Sequence, residues 1–203
     1  MYDTIPTQVL HAFFLLIIIM GSLTGLPVFL KITEKFDVQR RVRSGNKAIM
    51  FSLCFFVFFL LFGNSLLMLF GISFESFKIA GGIILLLMGI VYMFHINIHE
   101  QRSARYATDV IVPFAMPLII GPGVIATIIL LVNWYGYIIT FIGGAFALFL
   151  YWLVLFFAVR IANIIGEQGI EVIARIMGLL LMAIAIEMMT SGVMGFIKIG
   201  LSG

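Results

Sequence analysis

Charge is what this sequence has least of. Of its 203 residues only 10% are Asp, Glu, Lys or Arg, and 63% are apolar, whereas soluble domains carry roughly 25% charged residues. So little charge excludes an ordinary soluble protein. Cysteine occurs once, as Cys54 in an apolar run, which excludes an intrachain disulfide and reads as inert packing. There is no G-x-x-x-x-G-K-[ST] phosphate loop, so ATP-driven transport by this chain alone is excluded. Nor is there an H-E-x-x-H or G-x-S-x-G motif, so hydrolysis within a membrane has no visible machinery and the chain is not read as an enzyme. Basic residues and a small-residue cleavage site are both missing around Met1-Tyr2-Asp3-Thr4, so the first apolar run reads as a retained span rather than a signal peptide.

What is present is long apolar sequence: 21 Phe, 20 Gly and 12 Met, with a mean hydropathy of +1.23. Six uninterrupted runs stand out, at about 8–30, 48–70, 78–96, 110–132, 137–159 and 172–197. Six spans of about 20 residues leave no room for a separate soluble domain. The expected architecture is therefore an all-α polytopic membrane protein, with its function in the spans and the lipid bilayer as its surroundings.

Basic residues resist translocation, so their distribution sets the orientation. Lys31, Lys35, Arg40, Arg41, Arg43 and Lys47 fall in the first loop, Arg102 and Arg105 in the third, and Arg160 and Arg175 bound the fifth. The other side has only Lys78, in the second loop, and Lys198 in the tail. Ten against two places both termini outside the cytoplasm. The isoelectric point of about 9.2 reflects this asymmetry and not a nucleic-acid partner.

Shifting the chain against itself by 96 residues lays Gly82-Ile83-Ile84-Leu85-Leu86-Leu87-Met88-Gly89 over Gly178-Leu179-Leu180-Leu181-Met182-Ala183-Ile184-Ala185, and Gly25 over Gly121. One offset relating span one to four and three to six is the mark of a duplicated three-span unit. Three is odd, so the halves are inverted: a first repeat over 1–96, a cytoplasmic linker over 97–109 and a second repeat over 110–203. Such repeats are a recurrent plan of secondary transporters, which hold substrate where the repeats meet.

Two spans carry breakers at corresponding places, Gly21-Ser22-Leu23-Thr24-Gly25-Leu26-Pro27 in span one and Pro117-Leu118-Ile119-Ile120-Gly121-Pro122-Gly123 in span four. Proline removes a donor and glycine tolerates the torsions of a break, so helices one and four are expected to be discontinuous. Freed N–H groups at a half-helix start suit a carboxylate and freed carbonyls suit an ammonium group or cation. The candidate substrate-binding residues are Ser22, Thr24, Gly25, Pro27, Pro117, Gly121, Pro122, Gly123 and Thr127. The bland alternative is a pair of proline kinks that bind nothing.

Glu187 lies within the sixth run, where an ionised carboxylate costs about 2.5–3.5 kcal/mol. It reads as a group coupling transport to a proton or sodium, or as a neutral acid bonded through Thr190 or Ser191. Asn64 and Ser65 can bond a substrate or glue helices together. His95 and His99, four apart with Glu100 beside them, lack a third ligand and read with His11 as interfacial, so no metal site is expected. Gly143-Gly144-Ala145-Phe146-Ala147 offers close helix packing and leaves homo-oligomerisation open.

The sequence also has a family likeness. Phe70-Gly71-Ile72-Ser73 with Lys78-Ile79-Ala80-Gly81-Gly82, Val112-Pro113-Phe114-Ala115-Met116-Pro117 with Gly121-Pro122-Gly123, and Gly169-Ile170-Glu171 with Ala174-Arg175-Ile176-Met177-Gly178 closely resemble the MarC family of bacterial and archaeal integral membrane proteins. The resemblance covers nearly the whole chain. It implies six spans, a grouping with LysE-like exporters, residence in a bacterial inner or archaeal plasma membrane, and export or exchange of small neutral amino acids without a cofactor. Two positions depart from the family's pattern. Gly21-Ser22 stands where Asn-Pro is common, and Glu187 where a neutral residue such as Gln is usual. A narrow solute channel and a non-transporting membrane scaffold are the rival readings.

Overall fold

The computed structural model describes residues 4–21, 25–26, 29–30, 33–94 and 119–201, and among them the backbone is helical apart from short turns. Helix α1 (Ile5–Met20) places Pro6 in its first turn, where the missing donor costs nothing, and Thr7 Oγ1 donates to Thr4 O at 2.7 Å. Its 16 residues rise about 24 Å, less than the roughly 30 Å of a bilayer's apolar core. The helix stops at Gly21, in the left-handed region at φ 60, whose N–H donates to Ile18 O. Helical bonding then resumes, from Gly25 N to Gly21 O, Phe29 N to Gly25 O and Thr33 N to Phe29 O.

Helix α2 (Val38–Leu69) opens with Asp37 accepting from Arg40 N. It begins about ten residues before the apolar run at 48, because helical bonding continues through Arg40 to Lys47 where hydropathy has already fallen. Helix α3 (Phe74–Met93) is capped by Ser73, which accepts from Ser76 N. It too starts ahead of the expected boundary, with a consequence for the charge count. Lys78 is no loop residue: it sits in α3, only 9% exposed.

Helix α4 (Pro122–Phe156) contains one non-helical residue, Gly136 (φ 81, ψ 176), and so joins two segments, 122–135 and 137–156. Helix α5 (Ala158–Leu201) is interrupted in the same way at Gly166 (φ 71, ψ 169). The loops expected at 133–136 and between Arg160 and Arg175 are thus single glycines in a conformation closed to other residues. A break of one residue leaves no polar stretch for hydropathy to register.

Four stretches are long and apolar enough to cross a membrane, Val38–Leu69, Phe74–Met93, Pro122–Phe156 and Gln168–Lys198, with Ile5–Met20 a shorter apolar helix. The molecule is an integral membrane protein with several apolar helices. Its outer face suits lipid: Phe55, Phe58, Leu61 and Phe62 of α2 are all exposed, as is Cys54, which was expected to be packed.

One end of the bundle gathers the start of α1, the α2–α3 turn and Gly136. There His11 meets Tyr135, and Asn133 Nδ2 donates to Asn64 Oδ1 at 2.8 Å. The opposite end carries Lys35, Arg40, Arg41, Arg43, Lys47 and Arg160, with Trp152 donating to Asn46 Oδ1.

Glycines set the helix spacing. Helix α3 packs most extensively on α5, where a Cβ at Gly82 would lie 2.8 Å from Ala185 O and one at Gly89 would lie 2.8 Å from Gly178 O. Gly143 faces Ala12 of α1, and Gly144 faces the ring of Phe56. Segment 122–135 is enclosed by its neighbours, with Val124, Ala126 and every residue from Thr127 to Val132 buried. Gly89→Leu is expected to destabilise the protein by about 1–3 kcal/mol, because the added group meets Gly178 O and Met182 N as well as the Met182 side chain, and that backbone cannot turn away. Thermal unfolding in detergent, followed by helical circular dichroism, checks this; an unchanged midpoint would mean that the seam between α3 and α5 is loose.

Candidate substrate site

The two expected breaks lie inside the bundle. On the α1 side, Gly21 is left-handed and buried, and Gly25 is buried. On the α4 side, Gly121 is the extended residue before the helix (φ -73, ψ 173), and Pro122 opens the helix with no side chain capping it. Gly121 and Gly123 are buried and Pro122 is exposed. A Cβ on Gly123 would come within 2.5 Å of Leu85 Cδ2, so glycine lets this helix start press against α3. Thr127 is buried and its hydroxyl donates to Gly123 O at 2.8 Å, a second bond to a carbonyl within its own helix. Ser22, Thr24, Pro27 and Pro117, together with His95, His99 and the 97–109 linker, lie outside the described residues.

Glu187 is not brought to these breaks. It borders a cavity of about 300 Å³ near the far end of segment 122–135, shared with His11, Lys78, Trp134 and Ser191. Leu15, Leu130, Ile184 and Met188 supply apolar wall. His11 Nδ1 and the Tyr135 hydroxyl are 2.9 Å apart, and the His11 ring stacks on Trp134 at 6.4 Å. The bond fixes the imidazole, so one wall is rigid and aromatic. Lys78 Nζ stands 4.5 Å from the centre of the Phe74 ring, a cation–π contact. The Thr190 hydroxyl, considered as a partner for Glu187, donates instead to Ile186 O. Among the described residues the one ion pair is Arg175 with Glu171, so Lys78 and Glu187 face a common space without bonding each other.

At the cationic end a second cavity, of about 550 Å³, is bordered by Arg41, Arg160 and Asn163. Arg41 Nη2 donates to Thr33 O at 2.9 Å, which ties the start of α2 to the turn that follows the first break. Between the ends stands Tyr151, fully buried, with a hydroxyl that finds no partner among the described residues. Gly21 lies nine residues beyond Ala12 and Tyr151 eight beyond Gly143, its neighbour; at 1.5 Å per residue both are about 12–14 Å further along, at a similar depth. An orphaned buried hydroxyl at the level of a break is a candidate hydrogen-bond donor to a guest.

Lys78, Trp134 and Tyr151 were missed as site residues. Lys78 resembled a loop cation because it stands at the edge of its apolar run. Trp134 lies at a span end, where aromatic belts are common, and Tyr151 is one aromatic among many in an apolar run. The readable signal for Lys78 was its place four residues after Phe74 and directly before Ile79-Ala80-Gly81-Gly82, a spacing that puts it on a packed helical face.

Comparison with known proteins agrees with the fold. The family model described as MarC family integral membrane protein matches residues 7–197. A UPF0056 membrane protein of Methanocaldococcus jannaschii is 33% identical over 187 residues, which are 87% of this chain and 91% of the relative. UPF0056 membrane protein YvbG of Bacillus subtilis is 29% identical over 205 residues, 94% and 96% of the two chains. One from Buchnera aphidicola of Schizaphis graminum is 28% identical over 193, covering 94% and 98%. No solved structure matches the chain.

The local bond of Thr127 generates a prediction. Thr127→Val keeps the volume and removes a hydroxyl already committed to Gly123 O, so a loss of about 1 kcal/mol or less is expected. Denaturant titration in detergent measures it. A loss of several kcal/mol would show that the hydroxyl holds more than its own helix.

Proposed function

The chain belongs to the MarC family of integral membrane proteins, and we propose that it is a secondary transporter, exporting or exchanging small neutral amino acids by alternating access. The observation that carries this reading is the enclosed half-helix that starts at Gly121 in the interior of the bundle, opposite a second helix that ends at Gly21. Unpaired backbone at membrane depth is tolerated only where it is buried in protein or lines a cavity. A half-helix start offers N–H groups to a substrate carboxylate, and the end of α1 offers carbonyls to an ammonium group. Gly21, Gly25, Gly121, Gly123 and the buried Tyr151 hydroxyl mark the substrate level in this reading. Coupling to a proton or sodium falls to Glu187.

Two inverted three-helix repeats belong to the same proposal, and the α3–α5 seam supports them. Gly82 meets Ala185, and Gly89 meets Gly178. Adding 96 to 82 and subtracting 96 from 185 turns the first contact into the second. Contacts that exchange under one fixed offset are what a pseudo-two-fold axis between repeats generates. Cavities at both ends of the bundle, with buried helix between them, give such a molecule two faces to open in turn. By the positive-inside rule the end with Arg40, Arg41 and Arg43 faces the cytoplasm and both termini lie outside.

Counterflow in proteoliposomes tests the class. Saturable accumulation of labelled glycine, alanine, serine or threonine against unlabelled substrate is expected, with empty liposomes inactive. Flux that never saturates would indicate a channel, and no flux of any solute from inserted protein would indicate a scaffold. Gly121→Leu is expected to reduce counterflow to the level of empty liposomes while membrane insertion persists. Wild-type flux in that variant would place the substrate away from the break.

A further inference from the structure

We propose that the cavity bordered by α1, α3, α4 and α5 is a zwitterion site, in which Lys78 binds the carboxylate and Glu187 the ammonium group of a small neutral amino acid. The assignment deepens the transporter reading and rests on it for the substrate class. It adds a second station for the same cargo, at the end of the bundle away from Arg40, Arg41 and Arg43, to the substrate level at Gly21 and Gly121, and gives Glu187 a direct contact with cargo beside its coupling role.

Opposite charges on two different helices border one space and make no bond to each other. Lys78 is nine-tenths buried, and its ammonium rests over the Phe74 ring with no carboxylate partner among the described residues. Helix α5 cannot simply slide in to close the pair. A Cβ at Gly192 already meets Glu75 O, one turn before Lys78, and Lys78 Cβ itself, and Gly81 and Gly82 meet Met188 and Ala185 one turn after it. The helices therefore touch above and below the charges and hold them apart. A ligand that carries both complementary charges satisfies both with charge-assisted hydrogen bonds.

The same arrangement selects. The two charges sum to zero, so a neutral zwitterion leaves the cavity neutral, whereas a cationic or anionic amino acid adds a desolvated charge without a partner. A volume of about 300 Å³ is at the lower limit of small-molecule sites. Leu130 and Met188 offer apolar wall to a short side chain, and Ser191 borders the same space with a hydroxyl.

The probe is built into the chain. It has two tryptophans, Trp134 in the cavity wall and Trp152, which bonds Asn46 at the opposite end. In the full-length Trp152→Phe protein, Trp134 emission alone reports occupancy, whether or not substrate is carried. Glycine, alanine, serine and threonine are titrated, with alaninamide and N-acetylalanine as ligands lacking one charge.

At least one amino acid is expected to give a saturable change that alaninamide and N-acetylalanine do not reproduce. Lys78→Met and Glu187→Gln should each raise its half-saturating concentration about tenfold to a hundredfold, and Lys78→Glu combined with Glu187→Lys should recover part of the loss. If Lys78→Met fails to fold, the exposed Glu187→Gln carries the test. A saturable change untouched by the substitutions, or a silent Trp134 in protein that still shows counterflow, overturns the proposal. A Trp134 response without counterflow leaves the site standing and removes the transporter reading; loss of both removes both.

Discussion

A peptide group without a hydrogen-bond partner costs several kcal/mol in hydrocarbon, and in this protein one helix ends and another begins inside the bundle. Much of the rest of the architecture answers to that constraint. Helix α1 stops at Gly21 after about 24 Å, but helical bonding restarts at once, because Gly25 N reaches Gly21 O. The segment from Pro122 is apolar nearly all round and enclosed, as a helix with an unpaired start must be if it is not to face lipid. Proline at its first turn removes one of the donors that would otherwise stand unpaired, and the Thr127 hydroxyl adds a bond to Gly123 O. The N–H groups left at this half-helix start then become a resource for a guest with charges of its own.

Close approach of α3 and α5 follows from glycines at 82, 89 and 178, where each backbone comes near the other's carbonyls. In lipid, side chains gain little by leaving one apolar surrounding for another, so helices associate through packing of small residues. The seam has a second effect. It fixes how far Lys78 of α3 stands from Glu187 of α5, because contacts at Gly192 and at Gly81 lie on either side of them along the interface. A stability device and a candidate binding device are thus the same pair of helices.

Much of the fold was legible in the sequence because lipid imposes a coarse code. Apolar runs located the helices, and Gly21 and Gly121 marked both interruptions. What hydropathy could not register was helix continuing past the apolar region, as at Arg40 to Lys47, or turning on a single residue, as at Gly136 and Gly166. In both cases backbone hydrogen bonding, not side-chain character, decides where a helix ends. The candidate site was less legible for a similar reason. Glu187 was conspicuous as an acid in an apolar run, but its surroundings depend on which face of α3 meets α5. Lys78, one step from a loop by sequence, is buried because Gly81 and Gly82 pull that face inward. Ser22, Thr24, Pro27 and Pro117 fall outside the described residues, so the comparison rests on Gly25, Gly121, Gly123, Thr127 and Glu187.

The family likeness and the geometry meet at residue 187. Glutamine, the residue that the resemblance leads one to expect there, would still offer a carbonyl to an ammonium group, so recognition of an amino group does not require the charge. Glutamate adds Coulomb attraction, which is strongest where water is scarce, and it also balances Lys78. Without that balance the Lys78 ammonium would be a net positive charge in an apolar bundle, drawing anions as readily as zwitterions. The acid therefore does more than strengthen one contact. It neutralises the cavity as a whole, and a neutral cavity with its charges held apart favours a ligand that is itself neutral with its charges held apart.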